Sequence, residues 1–220
     1  MDEAALAREQ ARAREIYQRI AAVSGAWEPT SMSYYEGQPF KALVTAMLSA
    51  QTREEHTLAA SRALFALADT PESMLALTDE QILSAIRPVS YPYAKVGYLR
   101  DICARLVALG GEVPDSVEAL MTMKGVGWKV AVLTLATAYG RTEDITVDVH
   151  VLRIAVRMGL LPRATKQPPR ANELLKRIIP RDLWAGWNPL MVQFGRAICT
   201  PAYPRCKLCP VRDLCPRIGV

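Results

Sequence analysis

The chain has 220 residues, half of them apolar, which suits one or two globular domains with a sizeable core and excludes a disordered chain. The formal net charge of +5 favours a polyanionic partner without identifying one. The charged N-terminal segment and the shortness of every apolar run predict a cytoplasmic protein with no membrane partner.

Helical periodicity recurs along the chain and no segment alternates in the strand pattern, so the predicted fold class is all-α. Thr52, Thr78 and Asp115 are each followed three residues later by an acid or amide, and each is expected to cap a helix. The expected helices cover residues 4–23, 39–51, 53–67, 78–86, 94–109, 115–124, 128–139, 148–158, 172–179 and 183–199.

Two glycines interrupt this pattern in the middle of the chain, in Gly125-Val126-Gly127. Glycine favours turns and lets the backbone approach a ligand, and the helix that begins after these residues presents free N–H groups. We therefore expect a helix, a hairpin and a second helix that together form a phosphate site.

Lys129 lies in the first turn of that second helix, where the helix dipole disfavours a cation. One interpretation is an ordinary solvated lysine, and the other is a lysine whose neutral amine acts as a nucleophile. Asp148 precedes an apolar helical segment and is expected to be its N-cap. Alternatively, its carboxylate is the partner of Lys129 in catalysis.

Four cysteines cluster near the C-terminus with the spacing C-x6-C-x2-C-x5-C. Thiolates so close together in a cytoplasmic chain indicate a metal site rather than disulfides, and their chemistry alone leaves tetrahedral zinc and a [4Fe–4S] cluster open. Arg205 and Lys207 are basic residues of the same loop and are candidate phosphate contacts. The ligand candidates are Cys199, Cys206, Cys209 and Cys215. The remaining cysteine, Cys103, is expected to be a buried structural thiol.

The segments Lys-Gly-Val-Gly-Trp-Lys-Val-Ala at 124–131 and Val-Asp-Val-His at 147–150 resemble the helix-hairpin-helix and aspartate signature of the base-excision DNA glycosylase superfamily. Within it, the cysteine spacing resembles the cluster loop of the endonuclease III family, and this resemblance favours [4Fe–4S] over zinc. The similarity extends from about Pro39 to Cys215.

The resemblance implies two helical lobes with a DNA-binding cleft between them. One lobe is a helical barrel at 33–143 that contains the hairpin. The other is a discontinuous iron–sulfur domain made of residues 1–32 and 144–220. A monomer associated with the nucleoid is expected, and its partner is double-stranded DNA containing damaged pyrimidines or abasic sites.

The family's site residues can be assigned to matching positions of this chain. Lys129 is the expected nucleophile that forms a Schiff base, and Asp148 assists it. Gln51 and Tyr91 match the two side chains that fill the space left by a flipped nucleotide. Two departures are visible: Tyr91 stands where the family usually has an apolar residue, and Lys124 stands where it commonly has proline.

The resemblance, carried by these residues, implies a bifunctional glycosylase and lyase that removes oxidised pyrimidines such as thymine glycol. One alternative is a monofunctional glycosylase of the same superfamily, although such enzymes usually lack a lysine at the position of Lys129. The other is an inactive DNA-binding or redox protein, which the presence of both Lys129 and Asp148 disfavours.

Overall fold

The computed structural model describes residues 2–220, and within them every regular element is helical. Short 3₁₀ turns occupy Met32–Tyr35, Arg181–Leu183 and Cys206–Leu208. The α-helices of this part are α1 (Glu3–Ser24), α2 (Pro39–Ser49), α3 (Glu54–Leu67), α4 (Pro71–Ala76), α5 (Asp79–Ile86), α6 (Pro92–Ala108), α7 (Val117–Leu120), α8 (Trp128–Tyr139), α9 (Val149–Arg157), α10 (Pro168–Ile178) and α11 (Trp184–Ala197). The predicted all-α class is confirmed.

The chain divides into two compact units, and one of them is discontinuous in sequence. The first unit combines the chain up to Pro29 with Glu143–Val220, and the second is Thr30–Thr142. These boundaries lie within three residues of those expected from the family resemblance.

The core of the second unit is built around α2, which is buried on nearly all sides from Ala42 to Leu48. The helix packs mainly against α8, which is itself buried from Val130 to Leu135. Two helices that are apolar all round must be enclosed by others. The turn between α7 and α8 is therefore attached to the best-buried helices of its unit.

The first unit joins both ends of the chain in one apolar core. Ile16 and Ile20 of α1 are fully buried with Trp187 and Phe194 of α11. The ring of Tyr17 stacks on that of Trp187, with a centroid separation of 6.0 Å. Packing of α1 against α11 thus closes the unit that carries the cysteine loop.

Some of the predicted helix caps are present in the structure and others are not. Thr78 forms the predicted capping box with Gln81. At α7 the cap is Ser116, one residue after the predicted Asp115. Thr52 is not a cap: α3 begins after Arg53, which makes no side-chain capping bond, and the Thr52 hydroxyl donates to the carbonyl of Ala50 instead.

Helix α7 ends at Leu120, before the predicted end at residue 124, and two other helices also depart from the prediction. The short helix α4 was not predicted; Thr70 and Ser73 stabilise it with a reciprocal capping box. Helix α10 begins at Pro168, four residues before the predicted start at residue 172, because proline is well tolerated in the first turn of a helix. None of the helices in residues 2–220 combines the length and apolar character needed to cross a membrane.

Candidate functional site

The hairpin between α7 and α8 is fixed from behind by α6. Gly125 has a φ of +78°, and the ring of Tyr98 occupies the space in which a side chain at this position would lie. The backbone N–H of Lys124 donates to Oδ2 of Asp101 at 2.8 Å. Partial burial opposes ionisation of Asp101, but the hydrogen bonds from Lys124 and Arg105 outweigh it, so the pKa of this carboxyl lies below its ordinary value.

The backbone of the hairpin offers donors to an anion. Val126 is buried and its N–H donates to the carbonyl of Met123, so this residue anchors the turn. Gly127 is the N-cap of α8 and a Cβ built on it would meet no protein atom within 4 Å. In the described chain, the N–H groups of Gly125 and Gly127 have no hydrogen-bond partner. Such donors at a helix N-terminus are suited to a phosphate.

Lys129 lies in the first turn of α8 and its side chain is exposed, whereas the next residue, Val130, is buried. The helix therefore presents the amine to solvent beside the Gly125–Gly127 turn. Its assignment as a nucleophile remains a prediction.

Asp148 is the N-cap of α9, as the sequence predicted. Its Oδ1 accepts from the N–H groups of His150 and Val151 at 2.8 and 2.9 Å. Since both bonds go to Oδ1, capping uses one of the two carboxylate oxygens. Lys129 and Asp148 belong to different units of the chain, and their predicted pairing in catalysis remains a prediction.

Gln51 and Tyr91 share an unusual backbone conformation. Their φ angles are +55° and +56°, in the left-handed region that residues other than glycine rarely adopt. Both side chains are exposed, Tyr91 to 67%. Left-handed conformations at such residues cost roughly 1–3 kcal/mol and occur preferentially at functional sites. Their predicted place in DNA contact gives a reason for this strain.

One residue of this region was missed in the sequence analysis. Lys95 of α6 is only 3% exposed, and its ammonium donates to three oxygens of the segment around Gln51. A signal for it exists: Lys95 stands at helical spacing from Leu99, Ile102 and Leu106, all fully buried. A cation within an apolar helix face requires buried partners.

The four predicted ligand cysteines line one pocket, together with Arg157 and the apolar side chains of Met158, Phe194 and Ile198. Burial, together with the charges of Cys215, Cys199 and Cys206, raises the pKa of the Cys209 thiol to about 11. Four thiols that line one pocket are the type and number of donors that an iron–sulfur cluster requires. As the side chains stand, no group of three or more His, Cys, Asp or Glu residues in the described chain is arranged to hold a metal ion.

Arg157 organises the beginning of the cysteine loop. Its guanidinium donates to the carbonyls of Thr200 and Pro201 at 2.6 and 2.7 Å and lies 3.5 Å from Sγ of Cys199. The Cys215 thiol donates to the carbonyl of Arg157 at 3.3 Å. Both ends of the loop are thus attached to one residue of α9.

The basic residues of the cysteine loop face solvent. Arg205 and Lys207 are exposed on either side of Cys206, where they are accessible to a phosphate. Cys103 lies outside this loop, is fully buried and has a pKa raised to about 12 by burial, which makes it a structural thiol.

Comparisons with known proteins identify the family. Residues 44–181 match the model of the HhH-GPD superfamily base excision DNA repair protein. Endonuclease III of Thermotoga maritima is 36% identical over 184 residues, which cover 83% of this chain and 85% of that protein. Endonuclease III-like protein 1 of Bos taurus is 39% identical over 178 residues, which cover 80% of this chain and 58% of the bovine protein. The chain therefore spans less than two thirds of the bovine relative.

A solved structure agrees with the sequence matches. It is a trapped endonuclease III–DNA covalent intermediate in an estranged-adenine complex, with a TM-score of 0.76 and 28% sequence identity. The match covers 93% of this chain and 94% of that one. The family model covers most of this chain, and the Thermotoga protein is matched over most of its own length. The resemblance noted from the hairpin and cysteine motifs is thereby confirmed, and the chain belongs to the endonuclease III family of the HhH-GPD superfamily.

Proposed function

We propose that this chain is a bifunctional DNA glycosylase and abasic-site lyase that removes oxidised pyrimidines, such as thymine glycol, from duplex DNA. The observation that carries the proposal is the exposed Lys129 in the first turn of α8, directly after the hairpin with free backbone donors. Membership in the endonuclease III family supports the activity, and the matched covalent DNA complex of a family member supports a covalent step.

In the proposed reaction, the neutral amine of Lys129 attacks C1′ of a nucleotide that has left the helix, and the bond from C1′ to the base breaks. The sugar opens to a Schiff base with Lys129, and β-elimination then breaks the DNA strand on the 3′ side. Asp148 accepts a proton from the lysine or stabilises positive charge that develops on the sugar.

The remaining site residues bind and distort the duplex. The free N–H groups of Gly125 and Gly127 bind a phosphate without reading the base, and the exposed Arg205 and Lys207 add charge. Gln51 and Tyr91 enter the space left by the flipped nucleotide and offset the free energy of unstacking, which is about a few kcal/mol.

We further propose that the thiolates of Cys199, Cys206, Cys209 and Cys215 hold a [4Fe–4S] cluster. When bound, the cluster supplies a rigid cross-link within the C-terminal loop rather than cleavage chemistry. Arg157 holds the loop at Thr200 and Pro201, so that Arg205 and Lys207 are presented from an ordered backbone.

Borohydride trapping on a duplex with an abasic site tests the activity. We expect the wild-type chain to form a covalent complex, and Lys129→Gln to lose trapping, base release and strand cleavage while it retains DNA binding. The amide cannot form a Schiff base, yet it preserves most of the packing at the start of α8. Strand cleavage by Lys129→Gln would contradict the assignment. Base release without any trapping by the wild type would favour a monofunctional glycosylase, and binding without turnover would favour the inactive alternative.

A further inference from the structure

Lys95 connects two segments that are distant in sequence. Its Nζ donates to the carbonyls of Leu48 and Ala50 at 2.7 and 2.9 Å and to Oγ1 of Thr52 at 3.0 Å. An ammonium group has three donors, and all three are used on this one stretch of chain. The side chain thereby binds the end of α2 and the residues on both sides of Gln51.

The position of these acceptors explains how the chain tolerates a buried ammonium. The carbonyls at the end of α2 carry the negative end of the helix dipole, which stabilises a cation. A well-packed apolar residue often replaces a buried charge without loss of stability, so a buried lysine calls for a role beyond stability.

The backbone of Lys95 holds the second segment. Its N–H donates to the carbonyl of Tyr91 at 3.1 Å, which closes the first turn of α6. Ser90 adds two direct bonds between the segments: its hydroxyl donates to the carbonyl of Gln51 at 2.7 Å, and its N–H donates to Oγ1 of Thr52 at 3.2 Å. Gln51 and Tyr91, the two exposed residues with left-handed backbones, are thus parts of one hydrogen-bonded assembly.

We propose that Lys95 is a positioning residue that holds Gln51 and Tyr91 in a fixed relative arrangement, so that both side chains enter the duplex as one rigid wedge. The inference rests on the proposed function, because it takes the duplex as the object that the wedge enters. Preorganisation of this kind removes the need to order two strained loops at the moment of insertion.

The test separates insertion from chemistry. A duplex carries a tetrahydrofuran abasic analogue, which has neither base nor aldehyde, opposite 2-aminopurine, whose fluorescence reports loss of stacking. Base release from a thymine-glycol duplex is measured under single-turnover conditions, and affinity is measured on undamaged duplex. The variants are Lys95→Met, which keeps the length of the side chain without its donors, and Ser90→Ala, which removes only the hydroxyl bond to Gln51.

Arg100→Met is the matched control. Arg100 lies on the same helix and its guanidinium donates to the carbonyls of Leu75 and Leu77 at 2.8 and 2.6 Å, at the end of α4. Its loss perturbs the same unit through contacts with backbone carbonyls and with Asp79, none of which involves Gln51 or Tyr91. Thermal unfolding of each variant shows how much stability is lost.

We expect Lys95→Met to lose most of the fluorescence change and about 10- to 100-fold in base release, the usual range for misplacement of site residues, with affinity for undamaged duplex nearly unchanged. Ser90→Ala should show a smaller loss in the same direction, and Arg100→Met should match the wild type in both assays. A wild-type fluorescence change and rate in Lys95→Met would overturn the proposal, as would equal losses in Arg100→Met.

Two further outcomes are also decisive. If Lys95→Met does not fold, the result for Ser90→Ala decides, and an unchanged fluorescence response in that variant overturns the proposal. If the wild type itself neither releases thymine glycol nor changes the fluorescence, the proposed function fails. That failure is visible without any variant and is therefore distinct from failure of the positioning role.

Discussion

The side chain of Tyr98 occupies the space that a side chain at Gly125 would need. A Cβ built on Gly125 would lie 2.9 Å from Cβ of Tyr98 and closer still to its ring. Gly125 also has a φ of +78°, where an L-residue is strained. We therefore expect Gly125→Ala to lower the free energy of unfolding by about 1–3 kcal/mol, as measured by denaturant titration.

Gly127→Val is the matched comparison, because a Cβ at this position meets no protein atom. The stability loss should stay near 1 kcal/mol or below, since valine replaces glycine as an N-cap. Binding should nevertheless weaken for damaged and undamaged duplex together, because the valine side chain occupies the phosphate position. A variant that lost only lesion selectivity would show that the hairpin does not bind the DNA backbone.

The N-cap geometry of Asp148 sharpens the test of its catalytic role. Asparagine can accept the same two hydrogen bonds at Oδ1, so Asp148→Asn should unfold like the wild type. Base release from thymine glycol should nevertheless fall by about 10²–10⁴, the usual effect of losing a general acid–base group. Cleavage at a preformed abasic site should suffer less, since its aldehyde requires no activation of the glycosidic bond. Equal, small losses on both substrates would leave Asp148 as a helix cap only.

The cysteine pocket predicts a visible chromophore. Anaerobically purified protein should be yellow-brown and contain about four irons per chain by metal analysis. Cys206→Ser should lower the folded yield, because ligation and folding of the loop are coupled. One equivalent of zinc without iron would instead establish the tetrahedral alternative.

The buried side chain of Lys95 is expected to make a pH-dependent contribution to the free energy of unfolding. Burial lowers its pKa from the ordinary 10.5 to about 8. Below pH 8 the lysine is charged in both the folded and the unfolded chain. Between pH 8 and 10.5, Lys95 is protonated in the unfolded chain but neutral in the folded chain. The unfolding free energy of the wild type therefore rises with pH in this range.

The measurement compares the wild type with Lys95→Met by denaturant unfolding at several pH values. The difference in unfolding free energy between the two proteins should be constant below pH 8. Above pH 8 it should shift in favour of the wild type, by at most about 1.4 kcal/mol per pH unit. A flat difference up to pH 10 would show that the folded pKa is not lowered.

Local sequence signals predicted the glycine turn and the starts of α8 and α9. Gly140, a residue type that favours the left-handed conformation, ends α8 in that conformation, and Asp148 caps α9 as predicted. These features depend on residues adjacent in sequence, so pattern and propensity are sufficient to find them.

Thr52 shows where such signals fail. Its spacing to Glu55 is that of a capping box, yet its hydroxyl oxygen accepts from Ser90 and Lys95, which lie about forty residues later in the chain. The bonds to these distant residues compete with the local cap and prevail. Lys95 was missed for the same reason: its hydrogen-bond partners are distant in sequence and come close to it only when the unit folds.

The discontinuous unit has a consequence for synthesis on the ribosome. Thr30–Thr142 is contiguous, so this unit can fold while the rest of the chain is still being made. Helix α1 is made before this unit, but its packing partner α11 is made after it, and at common translation rates residues 143–197 take roughly 3–11 s. During that interval the apolar face around Ile16 and Ile20 has no α11 to cover it, and a nascent chain with this order of helices is a candidate client for chaperones that bind near the ribosomal exit.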